Sequence, residues 1–293
     1  MKLGIGLPNT LAPEVDRRLL LDWARLADEA GFDVLGTIDK PNYDSWDPVV
    51  TLATAAAVTE RAKLATTILQ LPNRNEVLVA KQAAVIDRLS EGRLILGVAQ
   101  GGREDDFEIL GVDFRGRAER LEAQVARIRE LWAEARASNH DRGVLGPAPV
   151  QEPGPPIWIG GITDAVRARA VRIGDGYIFG TVGPQMVSEL TPRIREDAAA
   201  QGKSDFTIAA LAYVAVGDDK AKALEEAAHH VVRYYGQLWA PPEQLIHHGP
   251  PEEIAEAVQA YAESGLDFLI LFAEIPRLDQ VERLAEIVLP TYR

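Results

Sequence analysis

The chain has 293 residues, 47% of them hydrophobic and 26% charged, a composition that excludes disorder, collagen and coiled coil and supports a large core. Its 31 basic and 44 acidic residues leave a net charge of −13, which repels phosphate polymers and anionic lipid, so neither nucleic acid nor a membrane is an expected partner. No cysteine is present, which removes disulfides, thiolate nucleophiles and Cys-ligated metals and suits a reducing compartment. The N-terminal stretch breaks at Pro8, too early for a signal-peptide core, and apolar runs such as Ala209 to Val216 fall far short of the roughly 20 residues of a membrane span. A soluble, cytoplasmic protein is expected.

Short apolar segments rich in β-branched residues alternate with segments of helical period along the whole chain. The predicted strands are Lys2–Leu7, Asp33–Ile38, Lys63–Gln70, Arg93–Ala99, Pro156–Gly160, Asp175–Gly180, Phe206–Val216 and Asp267–Phe272. Each is mostly apolar rather than alternating, as parallel strands covered on both faces require. The first helix, Glu14 to Ala30, places Leu19, Trp23, Leu26 and Ala30 on one stripe and is stopped by Gly31. The next, Pro48 to Arg61, is apolar or small all round, whereas an outer helix of a monomeric barrel needs a polar face; a homodimer interface is expected there. A third opens with Asn75 as N-cap and closes at Gly92, and a fourth carries Leu121, Val125, Ile128 and Trp132 on one face. Two stretches, His140 to Pro155 and Gly236 to Gly249, read as loops inserted between units, the second as a mobile lid. Eight strand–helix pairs predict a single α/β domain over residues 1–293, a (β/α)8 barrel with insertion loops, with a doubly wound sheet as the alternative.

Reacting groups of such a barrel lie at the C-terminal ends of its strands, which selects Pro8 and Asn9, Asp39 and Lys40, Gln70 to Asn73, Gln100 to Arg103, Gly160 to Thr163, Gly180 and Thr181, and Glu274. Within that set, Ile159-Gly160-Gly161-Ile162-Thr163-Asp164 is a strand running through two glycines into a helix that Thr163 can cap. The junction offers backbone N–H groups to a phosphate at the positive end of a helix dipole; a plain βα turn is the other reading. Asp39-Lys40 sets an acceptor beside a cation, fit for proton transfer or, with a desolvated amine, for a Schiff base as in a barrel aldolase; an exposed ion pair is the simpler reading. His140, His229, His230, His247 and His248 lack metal-ligand spacing: the first adjacent pair reads as helix surface, the second as loop within reach of a ligand. No Gly-x-Ser-x-Gly elbow and no Walker A segment occurs, which disfavours serine hydrolysis and nucleotide-triphosphate chemistry.

Several segments, in order along almost the whole chain, resemble the luciferase-like flavin-dependent oxidoreductases. They are Asp28-Glu29-Ala30-Gly31-Phe32-Asp33 leading to Asp39, Thr59-Glu60-Arg61-Ala62-Lys63-Leu64, and above all Asp87-Arg88-Leu89-Ser90-Glu91-Gly92-Arg93 with Leu94 to Val98. Phe107, Leu110-Gly111-Val112, Leu131-Trp132, Pro156 to Gly161, Gly174-Asp175-Gly176, and Gly249 with Pro251 to Ile254 continue the match. The resemblance implies a (β/α)8 barrel, often dimeric, that binds reduced FMN or the deazaflavin F420 across its mouth. It implies a bulged or cis peptide near Gln70-Leu71 behind the flavin ring, Gln100-Gly101 flanking the ring or ribityl chain, and Gly160-Gly161-Ile162 around the phosphate. The cofactor set expected on this basis is Leu7, Gln70, Leu71, Asn73, Gln100, Gly101, Arg103, Gly160, Gly161, Ile162 and Thr163. Asp39 and Lys40 are the expected catalytic residues, and Trp46, His247 and Glu274 the expected substrate contacts.

Two positions depart from the family pattern. Lys40 stands where many members carry a histidine, and Gln100 where bacterial luciferases carry an arginine, leaving Arg103 or backbone amides to meet the phosphate. The expected activity is that of a two-component monooxygenase that takes reduced FMN from a separate flavin reductase and uses O2 to oxidise a small organic substrate. An F420-dependent oxidoreductase moving hydride and a non-catalytic flavin-binding barrel are the alternatives.

Overall fold

A computed structural model describes residues 1–11, 14–138, 143–236, 238 and 240–292; His140 lies outside them. In chain order the elements are β1 (Lys2–Gly6), α1 (Arg17–Ala30), β2 (Val34–Thr37), α2 (Pro48–Ala56), β3 (Lys63–Thr66), β4 (Leu69–Gln70), a 3₁₀ turn (Leu71–Asn73), α3 (Glu76–Leu89) and β5 (Leu94–Ala99). Then follow α4 (Glu104–Glu108), α5 (Arg117–Ala137), β6 (Ile157–Gly160), α6 (Asp164–Ile173), β7 (Gly176–Thr181), α7 (Pro184–Ala200), β8 (Thr207–Val216) and α8 (Lys220–Tyr235). The chain ends with α9 (Pro242–Leu245), β9 (Ile246–Gly249), α10 (Pro251–Ala262), β10 (Phe268–Ala273) and α11 (Asp279–Tyr292).

Parallel strands in the order β10-β1-β2-β3-β5-β6-β7-β8 close on themselves through the β10–β8 pairing, which makes a (β/α)8 barrel. β4 adds to β5 at the mouth and β9 adds to β8 outside the ring. Strand residues from Leu3 to Phe272 are nearly all buried, because inward side chains fill the barrel and outward ones meet the helices. Helix starts follow their caps: Asp16, Asp47, Asn75, Thr163 and Asp219 each accept a backbone N–H with the side chain.

Three aspartates lock the bottom of the barrel. Asp33, just before β2, donates its N–H to the Leu3 carbonyl (2.7 Å), accepts the Leu3 N–H on its carboxylate (2.9 Å), and offers its carbonyl to Lys63 at the start of β3. Asp175 repeats the pattern with Ile157 and Thr207, and Asp267 with Ile208 and Lys2. Each thus ties three neighbouring strands in register and satisfies N–H groups that would otherwise lie beyond the ladder. The segments that carry the family resemblance act at the same level. Asp28 accepts the N–H groups of Glu60, Arg61 and Ala62, and Arg93 donates to the carbonyls of Thr59, Ala62 and Ser90. Asp87, fully buried, accepts from the Val150 and Gln151 amides and from the Gln151 side chain, which also donates to the Leu94 carbonyl of β5.

Three expectations are corrected. The strand Lys63–Gln70 is two strands, broken where the cis peptide occurs, and that peptide is Thr67-Ile68 rather than one near Gln70-Leu71. The stretch Gly236 to Gly249 contains α9 and β9, because β8 runs ten residues and its last four, Tyr213 to Val216, extend past the end of β7 and take Ile246 to Gly249 as a partner along that edge. His230 is buried rather than on the helix surface, and burial lowers its pKa.

Replacing Asp87 by alanine leaves two amides and a carboxamide without their acceptor. The expected cost is about 3 kcal/mol of unfolding free energy, read from the urea midpoint; an unchanged midpoint would show that the Asp87 lock contributes nothing to stability.

Candidate active site

The mouth of the barrel holds a cavity of about 360 Å³, within the range that encloses a small ligand. Ile38, Asp39, Thr67, Ile68 and Gln70 form one side, Gln100 to Gly102 and Gly160 to Thr163 another, and Gly180, Thr181, Leu211 and Tyr213 a third. Tyr234 and Tyr235, at the end of α8, face it as well.

The glycine junction is built as a cradle. Gly161 has φ of 149°, and a Cβ there would lie 2.9 Å from Val166 Cγ1, so only glycine lets the strand turn into α6 at this distance. Tyr177 fixes the turn by donating to the Gly161 carbonyl, and burial pushes its phenol up to about 12, which keeps it a donor. Thr163 Oγ1 accepts from Val166 N, leaving the amides of the first turn of α6 directed at the mouth. A Cβ on Gly102 would meet nothing within 4 Å and one on Gly180 only Ile162 at 3.7 Å, so both present bare backbone to the cavity. A phosphate with a flat ring attached fits this wall: amides and a helix N-terminus at one end, side-chain-free backbone along it.

The arginines at this end are committed in different ways. Arg169, on the second turn of α6, places Nε 2.8 Å from Glu122 and Nη1 3.0 Å from Gln100 Oε1, which sets its guanidinium behind the Gln100 side chain of the cavity wall. Arg103 does not turn toward the cradle. It pairs with Asp105 at 2.9 Å, holding that carboxyl down at about 2, and donates to the Tyr235 carbonyl at 2.8 Å.

Asp39 and Lys40 are both buried. Asp39 Oδ1 meets Arg74 at 2.9 Å and Oδ2 accepts the Gln70 N–H at 2.9 Å; burial raises its pKa against the pull of Arg74. The Lys40 ammonium donates to the Tyr234 carbonyl and lies over the rings of Tyr43 and Tyr234, and burial, then Arg103, lowers its pKa. Gln70 spans to the Asp39 carbonyl and Asp106, and Asn73 donates to Gln70 at 3.3 Å from the edge of a second, outer cavity of about 460 Å³.

The expected set therefore separates. Asp39, Gln70, Gln100, Gly101, Gly160, Gly161, Ile162 and Thr163 line the mouth cavity together. Leu7 and Leu71 belong to the hydrophobic core, Trp46 lies against α1 and α2 on the outside, and His247 sits on β9 with Nε2 3.4 Å from Tyr261 Oη. Glu274, just past the end of β10, is only 4% exposed and is not among the residues that line the mouth cavity. The three cavity tyrosines were missed by sequence reading, although a Tyr-Tyr pair closing a helix just before Gly236 marks a helix end that points its side chains somewhere specific. Among the described residues no group of three or more acidic or histidine side chains can hold a metal, and no helix is long and apolar enough to cross a membrane.

Burial raises the Glu274 carboxyl from 4.5 to about 8. Below pH 4.5 both folded and unfolded chains carry it protonated; between 4.5 and 8 only the unfolded chain ionises, so folding loses stability as pH rises through that window. Glu274→Gln removes the loss, and unfolding at pH 7 is expected to become about 3 kcal/mol more costly than in the unaltered chain. The gap should close at pH 4.5; a gap that stayed constant with pH would contradict a neutral Glu274.

The family model for luciferase-like monooxygenases matches residues 1–267. Among solved structures, the monooxygenase RslO1 from Streptomyces bottropensis superposes with a TM-score of 0.82 at 24% identity over 100% of both chains. An F420-dependent secondary alcohol dehydrogenase, solved with an F420-acetone adduct, gives 0.80 at 18% identity over 100% of this chain and 99% of its own. The oxygenating constituent of 3,6-diketocamphane monooxygenase from Pseudomonas putida, solved with FMN, gives 0.75 at 16% over 99% and 98%. These likenesses establish a shared barrel, and the match of the family model over most of the sequence establishes that the chain belongs to the luciferase-like monooxygenase family.

Proposed function

We propose that the chain is the oxygenating component of a two-component monooxygenase, which takes reduced FMN from a separate reductase and uses O2 to oxidise a small organic substrate. The observation that carries this reading is the cradle: the amides of Ile162 to Asp164 at the start of α6 suit a single ribityl phosphate, with Arg169 bonded to the wall residue Gln100, and the bare backbone of Gly102 and Gly180 suits a flat ring beside it. When bound, the flavin supplies the redox chemistry with oxygen. The protein binds, orients and excludes water: Leu211, Ile38 and the tyrosines make an apolar chamber, and burial keeps Tyr213, Tyr234 and Tyr235 protonated. FMN is favoured over F420 because F420 carries an acidic tail, and no lysine or arginine is among the residues that line the described cavity. No histidine lines the described cavity to exchange a proton during hydride transfer. In this reading Asp39 holds Gln70 and Arg74 in place at the cavity wall.

The protein also forms a homodimer in this proposal, through the face of α2 and α3 where Val50, Leu78 and Leu89 stand 66%, 59% and 54% exposed. A mass measurement at micromolar concentration should give twice the chain mass; monomer alone would overturn the dimer.

Oxygen uptake with supplied reduced FMN and a panel of small organic substrates tests the activity. Substrate-dependent product formation is expected, and uptake no faster than uncatalysed flavin oxidation counts against it. Arg169→Met tests the cradle. By removing the positive charge behind Gln100 it should weaken FMN about threefold and leave riboflavin, which lacks the phosphate, unchanged; equal losses for both would remove Arg169 from any part in holding the phosphate.

A further inference from the structure

We propose that Lys40 and Arg103 are positioning residues that clamp the C-terminal end of α8 across the barrel mouth and thereby set Tyr234 and Tyr235 as the wall facing the glycine cradle. The inference deepens the flavin-binding reading and rests on it for its ligand arm.

The last carbonyls of a helix have no partner within the helix and carry its negative end. On α8 two cations from elsewhere in the barrel take them. Lys40, in the loop after β2, donates to the Tyr234 carbonyl; Arg103, in the loop after β5, donates to the Tyr235 carbonyl at 2.8 Å, with the Tyr234 carbonyl at 3.5 Å. Both loops come from the side of the barrel opposite to β8 and α8, so the two bonds span the opening.

The clamp is itself braced. Asp105 fixes the Arg103 guanidinium and accepts from Asn42 Nδ2 at 3.1 Å, while Asp106 accepts from the Asn42 amide at 3.1 Å and from Gln70 at 3.0 Å. The loops after β2, β4 and β5 are thereby one hydrogen-bonded unit. The tyrosines are held from the other side too. Tyr234 packs edge-on against Tyr43 at 5.4 Å and against Tyr235 at 4.9 Å, and the hydroxyls of Tyr235 and Tyr213 meet at 2.9 Å. Lys40 lies over the rings of Tyr43 and Tyr234, 5.1 and 5.0 Å from their centroids, so one ammonium fixes both the backbone and the ring of Tyr234. A lysine does this where a histidine is too short to cross; the departure at position 40 is a change of task, from the acid–base role expected of the family to holding a wall.

Lys40→Met and Lys40→Arg distinguish this from other roles. In the ligand-free protein, amide exchange of the 230–236 segment should speed about tenfold in Lys40→Met and return toward the unaltered rate in Lys40→Arg, which can still reach the carbonyl. With FMN as probe, Lys40→Met should bind about tenfold more weakly and with brighter flavin fluorescence, because tyrosines against the ring quench it, and Lys40→Arg should restore both. Arg103→Met, at a half-exposed site, should shift the same readings in the same direction and serves if Lys40→Met does not fold. Unchanged exchange in both methionine variants would overturn the clamp, and so would a Lys40→Arg protein that behaves like Lys40→Met. If the unaltered protein bound neither FMN nor F420, the functional reading would fall while the exchange measurement still decided the clamp.

Discussion

A closed parallel barrel has one recurring problem: at the bottom, the first amide of each strand faces no ladder partner, and a slip of one residue turns every side chain the wrong way. Asp33, Asp175 and Asp267 solve it in the same manner, each with a two-way bond to the strand before it and a carbonyl offered to the strand after it. Together with the Asp87 and Gln151 contacts to β5, they reach every strand of the ring. The positions of the mouth residues follow from this register. Gly160, Gln100 and Gln70 converge only because the strands that carry them are fixed relative to one another at the other end.

That division explains what the sequence disclosed. Strand and helix periods survive in the residues themselves, so the (β/α)8 order and all eight barrel strands were legible, as were the caps at Asn75 and Thr163. The segments that carry the family resemblance were legible for a related reason: Asp28 and Arg93 each satisfy three backbone groups and Asp87 two amides and the Gln151 carboxamide, and such positions tolerate few substitutes. They are scaffold, and they say little about chemistry. The three strand-start aspartates formed a repeated Gly-x-Asp or Gly-Asp signal, at Gly31-Phe32-Asp33, Gly174-Asp175 and Gly265-Leu266-Asp267, that was visible but not recognised as a repeat.

The mouth was less legible because its walls come from loops and helix ends placed by tertiary contacts. Nothing local to Ile246-His247-His248-Gly249 marks a strand; its partner is the overhang of β8, far away in sequence. Lys40 next to Asp39 reads as an ion pair or acid–base pair, yet Asp39 pairs with Arg74 and Lys40 with a carbonyl from α8, so adjacent residues serve opposite sides of the wall. Arg103 is similar: charge and position suggested the phosphate, and Asp105, two residues on, redirects it. Arg169 took the place beside Gln100 from a helix where its period alone marked it as ordinary surface. The result is a cavity with a rigid backbone side, made by glycines, and an aromatic side held by cations; a flat anionic cofactor complements the first and a small apolar substrate the second.

The central claim is that this cavity holds reduced FMN by its phosphate. Anaerobic titration of the purified protein with reduced FMN and reduced F420, followed by calorimetry, tests it most directly. The account predicts saturable binding of reduced FMN that is markedly tighter than that of reduced F420; preference for F420, or no binding of either, would contradict it.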